Sequence, residues 1–137
     1  CLMGDGEIEE GQVWEAAMYA PHNKVDNLIA IIDYNGAQID GATHDVLSLG
    51  NLSAKWLAFG WHVIEIKNGN DIASILEGLS EAKSQANKGV PVIILLHTEM
   101  GNGVDFMMGS HKWHGVAPNN DQLAIALAQN QETLGDY

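Results

Sequence analysis

Two short segments of the chain hold the oxygen donors that a hard divalent cation requires. Gly4-Asp5-Gly6 offers the carboxylate of Asp5, and Asp33-Tyr34-Asn35-Gly36-Ala37 offers the amide oxygen of Asn35 and the backbone carbonyl of Ala37. Mg²⁺ takes oxygen ligands in an octahedron and is commonly held by only one or two protein groups, with phosphate oxygens and water completing the shell. Gly6 lets a backbone approach phosphates closely, and the N-terminus of a following helix favours an anion. Glu7, Glu9 and Glu10 stand beside this place. Unscreened, they repel a diphosphate, so the chemistry is coherent only with the cation present. Taken alone, Gly-Asp-Gly is most often a turn, and Asp5 and Asn35 read equally well as turn formers.

Other ligand chemistries find little support. The chain has no G-x-G-x-x-G and no G-x-x-x-x-G-K, so ordinary dinucleotide or nucleoside triphosphate binding has no motif. His111 and His114 lie three apart but have no third nitrogen or sulfur ligand nearby, which argues against zinc. His22, His44 and His62 have no partner pattern and read as structural or solvated. His97 ends an apolar run and reads either as a core histidine or as a residue near a ligand. Trp56, Phe59 and Trp61 read as core or subunit contacts, and Cys1 as an inert strand residue.

The elements that must position these residues alternate between strand and helix. Leu2–Met3 ends a strand, and Gly4-Asp5-Gly6 turns the chain. Glu10 to Ala20 reads as a helix, with Val13, Ala16, Ala17 and Ala20 on one face and Pro21 at its end. The continuous apolar run Leu28–Ile32 suits a strand buried on both faces of a parallel sheet. Tyr34 to Thr43 reads as a loop. Leu52, Trp56 and Phe59 recur at helical spacing before a capping Gly60, and Trp61 to Ile66 is the next strand. Asp71 is a candidate N-cap for a helix striped by Ile72, Ile75, Leu76, Leu79, Ala82 and Ala86, which Gly89 closes. Val90 to His97 is a fourth strand, Thr98 to Gly115 is irregular, and Asp121 to Gln129 is a final helix. Alternation of this kind implies βαβ units. The expected fold class is α/β, a parallel sheet with helices on both faces. Ligands of such sheets bind beyond the carboxyl ends of the strands, where the segments around Asp5, around Asn35, and from His97 to Gly103 all fall.

Length and composition agree with this reading. The chain has 137 residues, one modest domain or part of one, and is 46% hydrophobic and 18% charged, which suits a packed soluble domain. Its net charge of −12 comes from 18 acids against six Lys and no Arg. Such a surface repels polyphosphate backbones, so nucleic acid is not an expected partner, and neither is an anionic membrane. The longest apolar runs are strand-sized, too short to span a bilayer. A bidentate guanidinium clamp for a phosphorylated substrate would have to come from another chain or segment. The single Cys is compatible with a reducing compartment.

Gly4-Asp5-Gly6, a spacer and then Asn35 resembles the thiamine diphosphate motif, which opens with GDG and closes with Asn. The likeness extends further. GDGEIEEGQVWEAAMYAPHNKVDNLIAIIDYNGAQIDG, KWLAFGWHVIEI, TEMGNGVDFM and WHGVAPN resemble the diphosphate-binding (PP) domain of transketolases over nearly the whole chain. The likeness is greatest for the bacterial and archaeal type that is split into N- and C-terminal subunits. The resemblance implies that residues 1–137 are the C-terminal half of such a domain, an incomplete sheet with an upstream half elsewhere. It implies thiamine diphosphate and Mg²⁺ (or Ca²⁺) as cofactors. Asp5, Asn35 and the carbonyl of Ala37 would ligate the metal, Gly4, Gly6 and Asn35 would meet the diphosphate, and Ile39 would lie against the thiazolium ring. His114 matches a histidine near the diphosphate and the substrate and is the candidate catalytic residue. Glu10 and Glu15 match carboxylates at a dimer interface; their bland reading is a solvated helix start. Met100 stands where some relatives have Lys. The implied reaction moves a two-carbon ketol unit from a ketose phosphate to an aldose phosphate, in the cytoplasm. The implied partners are the chains carrying the upstream half and the pyrimidine-binding domain, in a homodimer or heterotetramer, and this chain alone is expected to be inactive. Two alternatives stay open: a non-catalytic truncated paralogue serving as an interaction subunit, and a related enzyme such as a sulfosugar transketolase or a deoxyxylulose-phosphate synthase.

Overall fold

The computed structural model describes residues 1–130. Four parallel strands form its sheet in the order β1-β2-β6-β5, where β1 is Leu2–Gly4, β2 Ile29–Tyr34, β5 His62–Ile66 and β6 Val92–His97. Two further strands, β3 (Ala37–Gln38) and β4 (Gly41–Ala42), pair antiparallel as a separate small hairpin. The helices are α1 (Gly11–His22), α2 (Thr43–Val46), α3 (Leu52–Phe59), α4 (Ile72–Gln85) and α5 (Asn120–Gln129). Ladder pairs run Gly4 to Asp33 and Tyr34 to His97, so the carboxyl ends of β1, β2 and β6 emerge side by side.

Strand alternation sorts the core into two layers, one on each sheet face. On one face Ala30, Ile32, Ile93 and Leu95 pack with Ala17 and Ala20 of α1 and with Leu52 and Trp56 of α3. On the other, Ile64, Ile66, Val92 and Ile94 pack against Ala82 of α4. The α/β class with helices on both faces is therefore observed. Gly78 lets α4 approach, because a Cβ there would overlap the side chain of Ile66. Coverage of this second face is uneven. The aligned row Ile64, Ile94, Ile31 and Leu2 runs from buried beneath α4 to 69% exposed at Leu2 on the edge strand.

Several boundaries differ from the sequence reading. The loop expected over 34–43 contains the β3–β4 hairpin, formed because Gly36 (φ +76°) reverses the chain after β2. Gly89 does not close α4. Asn87 (φ +61°) takes the left-handed position first, while the N–H of Gly89 donates to Asp26 Oδ2 at 2.9 Å. Asp71 does cap α4 through Ser74 N (2.8 Å), and Gly60 (φ +93°) ends α3. The helix α5 starts on a capping box between Asn119 and Gln122.

Pro21 lies inside the last turn of α1 rather than beyond it. Proline has no N–H, so the carbonyl of Ala17, four residues back, loses its helical donor. The indole Nε1 of Trp61 supplies the replacement at 2.8 Å in the buried core. Trp61 in turn stacks edge-on with Trp56 (4.9 Å between ring centroids), and Trp56 meets Trp14 at 5.4 Å. The proline and the tryptophan are thus a matched pair. Trp61→Phe is expected to cost about 1–3 kcal/mol through the orphaned carbonyl alone. In a Pro21→Ala background, where the helix regains its own donor, the same change should cost less. A double-mutant cycle by urea unfolding reads the difference; equal costs in both backgrounds would refute the pairing.

Candidate metal and diphosphate site

A cleft of about 1360 Å³ opens at the carboxyl ends of β1 and β2. Gly4, Asp5, Gly6, Asn35, Ala37, Ile39 and His114, residues from separate stretches of the chain, all line it, as do Glu10 and Met100. Glu15 lies exposed on α1 and does not line it. His97 is neither a core residue nor a cleft residue. Its Nε2 pairs with Glu65 at 2.9 Å, Glu65 pairs with Lys67 at 2.7 Å, and its ring rests on Tyr34.

Backbone geometry brings the two oxygen-bearing segments together. Asp5 N donates to Asp33 O (3.1 Å), extending the β1–β2 ladder by one bond past the strand end. Gly36 N then donates to Asp5 Oδ2 at 2.6 Å. Gly6 is required by close packing: a Cβ there would lie 2.6 Å from Cβ of Gln38 in the hairpin. The hairpin itself presents Ile39 at its tip, 72% exposed beside the cleft.

Asp5 is 1% exposed. One of its oxygens is satisfied by Gly36; the other, Oδ1, is buried with no partner. An ionised carboxylate with an orphaned oxygen is costly inside a protein. Burial accordingly pushes its pKa up to about 6, and the nearby Asp33 charge pushes the same way, against the pull of the Gly36 and Gly6 amides. Asn35 holds its side chain in two directions. Its Oδ1 accepts from Ala37 N at 2.9 Å and its Nδ2 donates to Asp33 Oδ2 at 3.3 Å. A carbonyl oxygen has a second lone pair, so Asn35 Oδ1 keeps capacity for another partner.

These groups fit a hard cation. Asp5 Oδ1 has no hydrogen-bond partner, and the other two candidate donors, in the same cleft, are an amide oxygen and a backbone carbonyl, with no sulfur or imidazole in the set. No cluster of three His, Cys, Asp or Glu that could hold a metal occurs among the described residues. A set of one carboxylate, one amide and one carbonyl therefore needs oxygen from a ligand to complete an octahedron. The cleft wall also carries Glu7, Glu9, Asp40 and Glu99 and, among the described residues, no Lys. Glu7 is partly engaged, since its Oε2 accepts from Gly4 N at 2.6 Å. An anionic ligand gains access to such a wall only by arriving with a cation. Among the described residues no helix is long and apolar enough to cross a membrane.

Sequence reasoning missed three contributors: Asp33 as the acceptor for Asn35, the Gln38 side chain that demands Gly6, and Glu7 folded back on Gly4. Each is a contact across a turn or between strands, with no local pattern to announce it.

Comparison with known proteins gives this geometry a family. Residues 1–135 match the family model described as transketolase, thiamine diphosphate binding domain. The chain is 41% identical over 133 residues to an apulose-4-phosphate transketolase subunit from Phocaeicola vulgatus, covering 97% of this chain and 46% of that one. It is also 41% identical to a 6-deoxy-6-sulfo-D-fructose transketolase subunit of a Clostridium species, over 93% of this chain and 46% of the relative. The chain thus spans about half the length of these relatives. Among solved structures, transketolase from Campylobacter jejuni superposes with a TM-score of 0.84 at 33% identity, over 94% of this chain and 20% of that one. Transketolase from Leishmania mexicana gives 0.85 at 35%, over 93% and 19%. With a family match that runs almost end to end and a fold shared with solved members, the chain belongs to the transketolase family, within its thiamine diphosphate binding domain.

Proposed function

We propose that this chain is part of a transketolase that moves a two-carbon ketol unit from a ketose phosphate to an aldose phosphate, and that its own task is to anchor the cofactor diphosphate through Mg²⁺ (or Ca²⁺). The observation that carries this reading is the buried, unpartnered Oδ1 of Asp5, set beside Asn35 and Ala37 in one cleft at the strand ends. Bound thiamine diphosphate would supply the carbon–carbon bond chemistry. The chain's residues would bind and orient: Asp5, Asn35 and the Ala37 carbonyl would take the metal, and Gly4 and Gly6 would let the diphosphate close on the backbone. Ile39, exposed at the hairpin tip, offers an apolar surface to the thiazolium ring and keeps water from it. His114 lies on the cleft wall, where its ring nitrogens would be available to hold or pass a proton beside the bound substrate.

The chain is read as the C-terminal half of the diphosphate-binding domain. The exposed edge at Leu2 and the thinning cover over Ile31 support a further segment packed there, from the same protein or another. The subunit names of the relatives support a multichain enzyme; the assembly proposed for it is a homodimer or heterotetramer in which another domain takes the pyrimidine. Glu10 at the cleft and Glu15 on the exposed side of α1 are placed for a boundary between subunits. On this reading the chain is inactive alone. Relatives named for apulose 4-phosphate and for 6-deoxy-6-sulfo-D-fructose favour a second reading, a transketolase for an unusual sugar.

Two outcomes test the anchor in the complete enzyme. Thiamine diphosphate binding, followed by calorimetry, should require Mg²⁺ in the parent, and Asp5→Asn should weaken it by about 10-fold or more. Parent-like binding by Asp5→Asn would defeat the reading. The second outcome is a pH dependence. The folded-state pKa of Asp5 is raised from 3.8 to about 6. The cation-free fold therefore prefers the protonated carboxyl, and stability declines as pH rises through that window. A cation on Oδ1 competes with that proton. Mg²⁺ with thiamine diphosphate should then raise the melting temperature strongly at pH 8 and little at pH 5. Equal shifts at both would separate the cation from Asp5.

A further inference from the structure

A cation can use Asn35 only if its amide presents oxygen, not nitrogen, to the cleft, and two residues outside the ligand set decide this. The oxygen end already faces a donor, Ala37 N, and the nitrogen end faces an acceptor, Asp33 Oδ2. An inverted amide would set NH₂ against N–H and oxygen against carboxylate, two repulsive pairings at once. Asp33 is itself held: its second oxygen, Oδ1, accepts from the hydroxyl of Thr98. Both Asp33 oxygens are thus engaged, in contrast to Asp5. Thr98 is fixed in turn by its neighbours on the segment leaving β6. Gly69 N donates to His97 O at 2.6 Å, and Glu99 N donates to Asn70 Oδ1 at 2.7 Å. The 68–71 turn fits there only with glycine at its centre, since a Cβ on Gly69 would lie 2.5 Å from the His97 carbonyl oxygen.

We propose that Asp33 and Thr98 are positioning residues for the cation: the Thr98 hydroxyl orients the Asp33 carboxylate, which holds the Asn35 amide with its oxygen toward the metal. The inference rests on the metal-anchoring reading. It also joins β6 to a site whose ligands all come from the β1 and β2 ends, so the segment leaving β6 takes part without supplying a ligand.

The test uses the complete enzyme with Mn²⁺ as probe in the presence of thiamine diphosphate, free Mn²⁺ being read by electron paramagnetic resonance. Thr98→Val keeps the side-chain volume and leaves the Asp33 charge in place, so any loss reports orientation rather than charge. Its Mn²⁺ affinity should fall by about 10- to 100-fold, the range for partners that orient metal ligands. Thr98→Ser, which keeps the hydroxyl, should restore parent-like binding, and the cation-free melting temperatures of the two variants should match. If Thr98→Val does not fold, Thr98→Ala takes its place. Parent-like Mn²⁺ affinity in the hydroxyl-free variant overturns the inference, as does equal impairment of Thr98→Ser. Asp5→Asn is measured alongside. Retained binding in Asp5→Asn overturns the anchoring reading and this inference with it; lost binding there, with parent-like binding in Thr98→Val, overturns this inference alone.

Discussion

A buried carboxylate with one oxygen bound and the other bare is the constraint around which this part of the molecule is organised. Asp5 offsets its burial with a single short hydrogen bond from Gly36, and that bond ties the first strand's turn to the second strand's turn. The geometry on either side follows from it. Gly36 must reverse the chain so that its N–H points at Asp5. The reversal launches the hairpin, and the hairpin presses on Gly6 and carries Ile39 to the cleft. Asn35, one residue before the reversal, is turned toward the same opening. The oxygen donors of the proposed cation site are therefore brought together by two turns that are distant in sequence and adjacent in the sheet.

The scaffold beneath it is conventional for a parallel sheet, but its two faces are unequal. The face under α1 and α3 is closed by an aromatic group, Trp14, Trp56, Phe59 and Trp61, in which two indole nitrogens also satisfy backbone carbonyls. Trp61 replaces the donor that Pro21 removes, and Trp14 caps the carbonyl of Ile8 at 2.8 Å. Among the described residues the opposite face is covered by α4 alone, seated closely by Gly78 over β5 and β6. Burial therefore declines toward β1, the strand that delivers Asp5. The site lies at the less covered side of the sheet, which accords with the proposed need for further protein there.

Electrostatics narrows what can enter. Asp5, Asp33, Asp40, Glu7, Glu9, Glu10 and Glu99 surround the opening, and among the described residues no lysine does. In this field a bare diphosphate is repelled and a metal-bound one is not. On the proposed reading, the acidity that would disqualify the cleft as a phosphate site is what would couple the phosphate to the cation.

Much of this was legible in the chain itself. Helical stripes and the apolar strand runs fix the βαβ order because burial demands a period of two or about 3.6 residues, a local property. Gly-Asp-Gly and Asn-Gly mark turns by their own backbone preferences, and the resemblance of the surrounding stretches named the family. Site residues could be nominated in this way because turn chemistry and oxygen donors are written in residue type. Which of them meet was decided only by the fold. Strand order put β6 between β2 and β5, bringing Thr98 against Asp33. The ladder register, which sets Gly4 opposite Asp33, brought the turn after β2 close enough for Gly36 N to reach the Asp5 side chain, and packing committed Trp61 to Ala17 and removed His97 to a surface pair with Glu65. Hydrogen bonds of this kind join residues 31, 44 and 65 positions apart. No local period encodes such a distance, so the tertiary structure alone determines whether an oxygen is satisfied, oriented or left bare for a cation.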